Sequence, residues 1–409
     1  REKYRDRSRN VSYYCFLVIG LFLLMMSSTA KKTVSREEDV SRRFLRERRW
    51  TSWRKRYRPH PYESEHHEIE AKENFMRNDA IIEKHNNRNA GYVLGHNKFS
   101  DRYFEERGNS RGISKSGGDC RSPSTEAQQH QQQMMWDLLP PASSTFRGDA
   151  PPISPNVSMD WVSQGAVTPV KDQGNCSNGD WAFSAVGAME SAYKIQGASL
   201  TALSESNLLS CCSLTQGCSG GYPIYSFACI MKDGLCLESD APFRKNVTKR
   251  SCEKCNPSVA LQGFDVLPRG DEDWLRAGVS QRPVSVWINS AAPSFRFYKS
   301  GVLDSKECET GVYGSALVVG FGQDHKTGKP YWLLKNSWGT DWGENGYARL
   351  VRDKSMCGVA ELAIVPLYVV KAKNSTLPCR TWCSSAKREN YSHITQISLY
   401  HSLVSLHTQ

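Results

Sequence analysis

Apolar and polar positions alternate in distinct regimes along the 409-residue chain. Residues Val11 to Ala30 carry no charge, with an apolar heart from Tyr13 to Met26. That length suits a signal-peptide core or a short membrane anchor. Glu63 to Asn87 is charged, with Ile69, Phe75, Ile81 and Ile82 as its apolar marks, and is expected to be helical. Residues 103–152 hold a Gln-rich stretch and two Pro-Pro pairs, a composition that predicts a disordered linker. Helical spacing returns over Asp180 to Lys194, where Trp181, Phe183, Val186, Met189 and Tyr193 recur. From Val284 onward the pattern turns to strands: Val284 to Ile288, Ala316 to Phe321 and Tyr331 to Leu334. A helical half followed by a strand-rich half predicts an α+β protein. Residues 367–409 show no clear period and are expected to form a C-terminal tail.

Charge sharpens the N-terminal picture. The net charge of +11 is matched by residues 1–60 alone, with 17 Lys+Arg against 6 Asp+Glu. The rest of the chain is near neutral, which argues against a nucleic-acid partner for the folded portion and for a membrane surface at the N-terminal segment. Basic tracts on both sides of the apolar run favour a signal anchor, Ser28-Thr29-Ala30 leaves a cleaved signal peptide open, and a buried core helix fits least.

Fourteen cysteines, ten of them between Cys176 and Cys357, point to an oxidising compartment. Cys252-x-x-Cys255 lacks a second pair of the spacing a zinc site needs, so no metal is expected.

Several motifs occur in order: Val170-Lys-Asp-Gln-Gly-Asn-Cys176 ahead of Trp181-Ala-Phe-Ser184, Leu203-Ser-Glu, Gly217-Cys-Ser-Gly-Gly221, Tyr331 to Gly339 and Trp342 to Tyr347. Together they resemble the papain family of cysteine proteases, in the cathepsin L branch. Upstream, Phe75, Asn78, Ile82 and Asn86 resemble the helix motif of the family's inhibitory propeptide, with Ala71 and His67 departing from it. Gly95, Asn97, Phe99 and Asp101 fit its second motif. The cysteine surplus and the anchor-like N-terminus look most like apicomplexan-parasite members.

The resemblance implies a papain-like fold of two domains, one helical (roughly 165–270) and one β-barrel-like (roughly 271–360), preceded by a helical propeptide. The expected organisation is a basic segment at 1–60 with the anchor or signal at 11–30, a propeptide at 61–102, the linker, a peptidase domain at 153–366 and the tail. The propeptide is expected to run backwards through the cleft and block it. The resemblance also implies disulfides Cys176–Cys218, Cys211–Cys252, Cys236–Cys255 and Cys308–Cys357. Cys212 and Cys229 are left over for a fifth bridge.

The family's chemistry needs a thiolate at a helix start, a histidine to move the proton, an asparagine to orient it and a glutamine for the oxyanion. Gln173 and Asn336 stand at the last two positions, with Trp338 beside Asn336. The nucleophile position is Asp180 when counted from Trp181, or Gly179 when counted from Gln173; neither is cysteine. Cys176 is close, but as nucleophile it would leave Cys218 unpaired. The histidine position is Gly314, followed by Ser315. His325 lies beyond the strand, about 23 Å away at the usual rise per residue, and reads as a solvated loop histidine. An aspartate at a helix start commonly satisfies free N–H groups and the helix dipole, and that structural role outranks a carboxylate nucleophile here. In one well-studied serine protease, loss of either nucleophile or base costs about 10⁶ in kcat.

The expected function is therefore an inactive papain-family homologue that keeps a peptide- or inhibitor-binding cleft. Gly220 and Gly221 would form the cleft wall, or serve only the turn after Cys218. Expected partners are its own propeptide, peptides, cystatin-like inhibitors or active homologous proteases, and a membrane through the N-terminal segment; no cofactor is implied. The alternative is an active cysteine-type endopeptidase with an unrecognised nucleophile. A third reading is a structural or decaying product with no binding role. Expected localisation is the secretory or endolysosomal/vacuolar pathway, as a single-pass type II precursor or a secreted protein. Asn175-Cys-Ser177 is a glycosylation sequon beside the cleft, and Asn10, Asn156, Asn246, Asn374 and Asn390 begin others.

Overall fold

A computed structural model describes residues 41–102, 149–154, 157–244, 252, 255–308 and 314–372. The expected anchor or signal at 11–30, nearly all of the linker, and the tail beyond residue 372 lie outside the described residues, as do Cys15, Cys120, Cys379 and Cys383. Among the described residues no helix is long and apolar enough to cross a membrane. The described residues divide into two compact units, 41–81 with 96–102, and 82–95 with those from 149 to 372.

In the first unit, helix α1 covers residues 41–57 and α2 covers Glu65–Asn86, whose last turns belong to the second unit. Helix α1 lies upstream of residue 61, where the propeptide is expected to begin. Its Trp50 and Trp53 stack at 5.4 Å and pack with Ala71 and Phe75 in a small aromatic core. Phe75 is fully buried, and Asn78 donates to the carbonyls of Ser100 and Arg102. These contacts give the propeptide-like motif residues a structural reason. Asp79 is a buried hub: Arg49 donates to both its oxygens at 2.6 Å and His96 pairs with it at 2.9 Å. Burial opposes the Asp79 carboxylate, but these partners outweigh it and hold its pKa below the ordinary value. Asp79→Ala removes the buried carboxylate that Arg49 and His96 contact, so these bonds are lost together. It is expected to destabilise this unit by about 2 kcal/mol, read as a lower midpoint in a denaturant melt of the full chain.

The second unit pairs a helical half with a strand-rich half, as an α+β protein of this class does. Helices α3 (Asp180–Ile195), α4 (Glu205–Cys211) and α5 (Pro223–Asp233) form the first. Twelve successive residues of α3, from Trp181 to Ala192, are buried, which is why that stretch is apolar nearly all round. Ser204 caps α4 by accepting from Asn207 N, and Pro at N1 opens α5.

The second half is a nine-stranded sheet. Its strands are β1 (Tyr92–Leu94), β2 (Met159–Asp160), β4 (Phe264–Val266), β5 (Val284–Ile288), β6 (Tyr298–Leu303), β7 (Gly314–Gln323), β8 (Pro330–Lys335), β9 (Tyr347–Val351) and β10 (Ala363–Pro366); β3 (Val259–Leu261) pairs separately with β11 (Val369–Lys371). Strand β7 is central: it pairs with β5 from Ile288↔Gly314 to Val284↔Val318, and with β8 from Leu317↔Lys335 to Gln323↔Pro330. Burial of β7 on both faces explains its unbroken apolar run. Helix α6 (Glu272–Gln281) is capped by Asp271, which accepts from Trp274 N. All four disulfides implied by resemblance are present, and Cys212–Cys229 forms the fifth.

Candidate functional site

The start of α3 and the start of β7 meet. Gly179 is the N-cap residue of α3 and Asp180 its first helical residue. A Cβ on Gly179 would fall 2.5 Å from the Cys176 sulfur, so no side chain fits there. Of the two counts for the nucleophile position, only Asp180 places a side chain at the helix start. Its Oδ2 accepts from the backbone N–H of Ser315 at 2.6 Å. The aspartate meets the amides at the start of its own helix, as expected, and also reaches across to β7. Burial raises the Asp180 carboxyl to about 6, while the amides of Ser315, Trp181 and Asp180 itself pull the other way.

Gly314 sits against that carboxylate. A Cβ on Gly314 would lie 2.2 Å from the Ser290 hydroxyl and 2.6 Å from Asp180 Oδ2. The space where any side chain at residue 314 would begin is thus filled by two oxygens of the protein. Ser290, missed in the sequence, contributes one of them; a small polar residue after a strand carries no signal of such a role.

Asn336 follows β8 and is buried; its Oδ1 accepts from Ser337 N at 2.8 Å. Among the described residues, its Nδ2 has no hydrogen-bond partner, and neither has the buried hydroxyl of Ser315. Both residues line a cavity of about 20 Å³, large enough for one water. Lys335 and Glu190 also line it. Lys335 donates to Thr168 Oγ1 at 3.0 Å, and Thr168 donates to Glu190 at 2.5 Å. Burial lowers the Lys335 pKa. Burial also works against the Lys171 ammonium, but Glu205 and Glu190 hold its pKa above the ordinary value.

Gln173 is buried and fully engaged. Its Nε2 donates to the carbonyls of Cys176 and Ser177, each at 2.9 Å, and its Oε1 accepts from Ser337 Oγ at 2.6 Å. An amide nitrogen has two hydrogens. Both serve the protein's own backbone in this arrangement.

Trp338 packs edge-on to Trp342 at 5.2 Å and to Phe295 at 5.7 Å. Gly221 is required by packing, since a Cβ there would lie 2.6 Å from the Trp181 ring. Gly220 has φ +141° with open space around it, a backbone state that favours glycine. Each glycine therefore has a structural reason at its position. His325 is exposed in the turn between β7 and β8, away from these residues. All ten cysteines among the described residues are in disulfides, Cys176 with Cys218 included. Among the described residues no cluster of His, Cys, Asp or Glu could hold a metal ion.

A long helix buried against a central, mainly antiparallel sheet, stapled by five disulfides and preceded in sequence by a helical unit, has counterparts among known proteins. Residues 155–367 match the papain family cysteine protease domain, and residues 50–106 match the cathepsin propeptide inhibitor domain. The chain belongs to the papain family, in the form that carries its own propeptide. It is 35% identical over 300 residues to probable cysteine protease RDL4 of Arabidopsis thaliana, covering 72% of this chain and 77% of that one. With cathepsin S of Mus musculus it shares 40% identity over 234 residues, 55% of this chain and 67% of the relative. Digestive procathepsin L 3 of Tenebrio molitor superposes with a TM-score of 0.62 at 31% identity, over 79% of this chain and 99% of that structure.

Proposed function

We propose that this chain is a catalytically silent papain-family homologue, a pseudoprotease whose cleft binds polypeptide without cleaving it. One observation carries the reading: the Asp180 carboxylate and the Ser290 hydroxyl fill the space where a side chain on residue 314 would begin. By family resemblance Asp180 occupies the nucleophile position and Gly314 the histidine position. A thiolate and an imidazole would have to coexist where a carboxylate now accepts an N–H from Ser315. The unpartnered Asn336 Nδ2 and the engaged Gln173 amide support the same conclusion. The two groups that would orient a base and receive an oxyanion are without a base or committed elsewhere.

The chain's own propeptide is the first partner of the cleft; extended peptides, cystatin-like inhibitors and active homologous proteases are the others. The apolar run at 11–30 with its basic flanks would tether the precursor as a single-pass type II protein, or direct its secretion, within the secretory and endolysosomal/vacuolar pathway. Five disulfides suit that route.

A thiol-directed, peptide-like epoxide probe tests the silent site. Incubated with the folded chain after propeptide removal, it is expected to leave no covalent label between residues 149 and 372. A stoichiometric adduct on any cysteine in that range would sink the reading.

A further inference from the structure

Helix α1 divides its cations between two sides. Residues 41–57 hold eight Lys+Arg and a single acidic residue, Glu47. Arg46 and Arg49 turn inward to Asp79, at 3.3 and 2.6 Å, and Arg54 to Glu68 at 2.7 Å. Glu47 is taken by Lys72 at 2.7 Å. The opposite side follows three- and four-residue steps through Phe44, Leu45, Arg48, Ser52, Lys55 and Arg56 and is exposed throughout. Phe44 and Leu45 are 62% and 49% exposed, although Trp50 and Trp53 of the same helix are buried. The outer face thus has large apolar side chains at its N-terminal end, cations beyond them, and no acidic residue.

We propose that this outer face of α1 docks on an anionic phospholipid surface. Packing inside the unit accounts for the inward arginines, and Arg56 lies over the Tyr57 ring at 5.2 Å, but the exposure of Arg48 and Lys55 has no such account. Charge complementarity calls for an anionic partner. The exposed Phe44 and Leu45 select among such partners: a bilayer interface accepts apolar side chains beside cations, whereas a phosphate or sulfate polymer gains little from them. The inference is independent of how the cleft is read. It is also distinct from insertion of residues 11–30, because the contact is interfacial, reversible and weakened by salt.

Co-sedimentation of the full chain with phosphatidylcholine vesicles, with and without about three-tenths phosphatidylserine, tests the docking. Two variants are compared with the unaltered chain: Arg48→Glu/Lys55→Glu/Arg56→Glu and Phe44→Ser/Leu45→Ser. Residues 11–30 are the same in all three and contribute equally. Near-ultraviolet dichroism from the Trp50–Trp53 pair verifies the fold of each. Each variant is expected to lose about tenfold in partitioning to the phosphatidylserine vesicles and to match the unaltered chain on phosphatidylcholine alone. Equal partitioning of the charge-reversal variant and the unaltered chain overturns the proposal. Loss on charge reversal with no effect of Phe44→Ser/Leu45→Ser, accompanied by heparin binding of the same pattern, assigns the face to a polyanionic polymer and also overturns it.

Discussion

Gly314→Ala is expected to destabilise the peptidase-like unit by about 2 kcal/mol, although alanine is ordinarily the better residue in a strand. The backbone at residue 314 is not in the left-handed region, so no φ penalty enters. The cost is steric: the new Cβ would meet Ser290 Oγ at 2.2 Å, Ser290 Cβ at 2.8 Å and Asp180 Oδ2 at 2.6 Å. Rotating Ser290 relieves one of these three contacts. For a domain of this size the loss corresponds to roughly 4–8 °C in Tm. In an Asp180→Ala/Ser290→Gly background the same substitution is expected to cost close to nothing. Coupling of about 2 kcal/mol in that cycle identifies the crowding as the cause. A histidine at residue 314 brings the same Cβ and a ring besides. Under the proposed reading, placing a thiol at Asp180 and an imidazole at Gly314 would therefore require change at Ser290 as well.

The second large effect is a pH dependence. Burial raises the Asp180 carboxyl to about 6, whereas in an unfolded chain it titrates near its ordinary value of about 3.9. The folded state therefore binds this proton more tightly. Asp180 adds stability that is fully present below about pH 4, is lost as pH rises through 6, and is absent above about pH 7. The difference between the folded and unfolded values corresponds to about 3 kcal/mol as an upper figure. Asp180→Asn keeps an oxygen for the Ser315 N–H and removes the titration. The stability difference between this variant and the unaltered chain is expected to move by about 2–3 kcal/mol between pH 4 and 7.5, in the variant's favour at high pH. Urea melts at four pH values measure it; parallel curves would show that Asp180 does not carry the effect.

Local pattern located most elements of the second unit. Alternating β-branched and aromatic residues marked Val284–Ile288 to the residue, and the expected helix from Asp180 to Lys194 differs from α3 by one residue. Family resemblance supplied the disulfide pairing, which composition alone left open. Helix α1 escaped notice because its cations flank the helix on both sides and obscure the period of Trp50, Trp53 and Tyr57; only the acids of α2 show which arginines face inward. The proposed site rests on identities that the family resemblance picks out, Asp180 and Gly314, and its geometry is not in the sequence. Ser290 and Ser315 are ordinary serines until the fold brings them to Asp180 from more than 100 residues away. That the Gln173 amide hydrogens are both committed is likewise a property of the folded loop rather than of the motif.

Peptide hydrolysis by the folded, disulfide-intact portion spanning residues 149–372 decides whether the site is silent. Fluorogenic peptides with apolar residues are assayed from pH 4 to 7.5 in the presence of a mild thiol. No turnover above buffer is expected, for this portion and for its Asp180→Ala variant alike. Turnover that co-purifies with the folded protein and disappears in Asp180→Ala would contradict that expectation and make the carboxylate a working catalytic group.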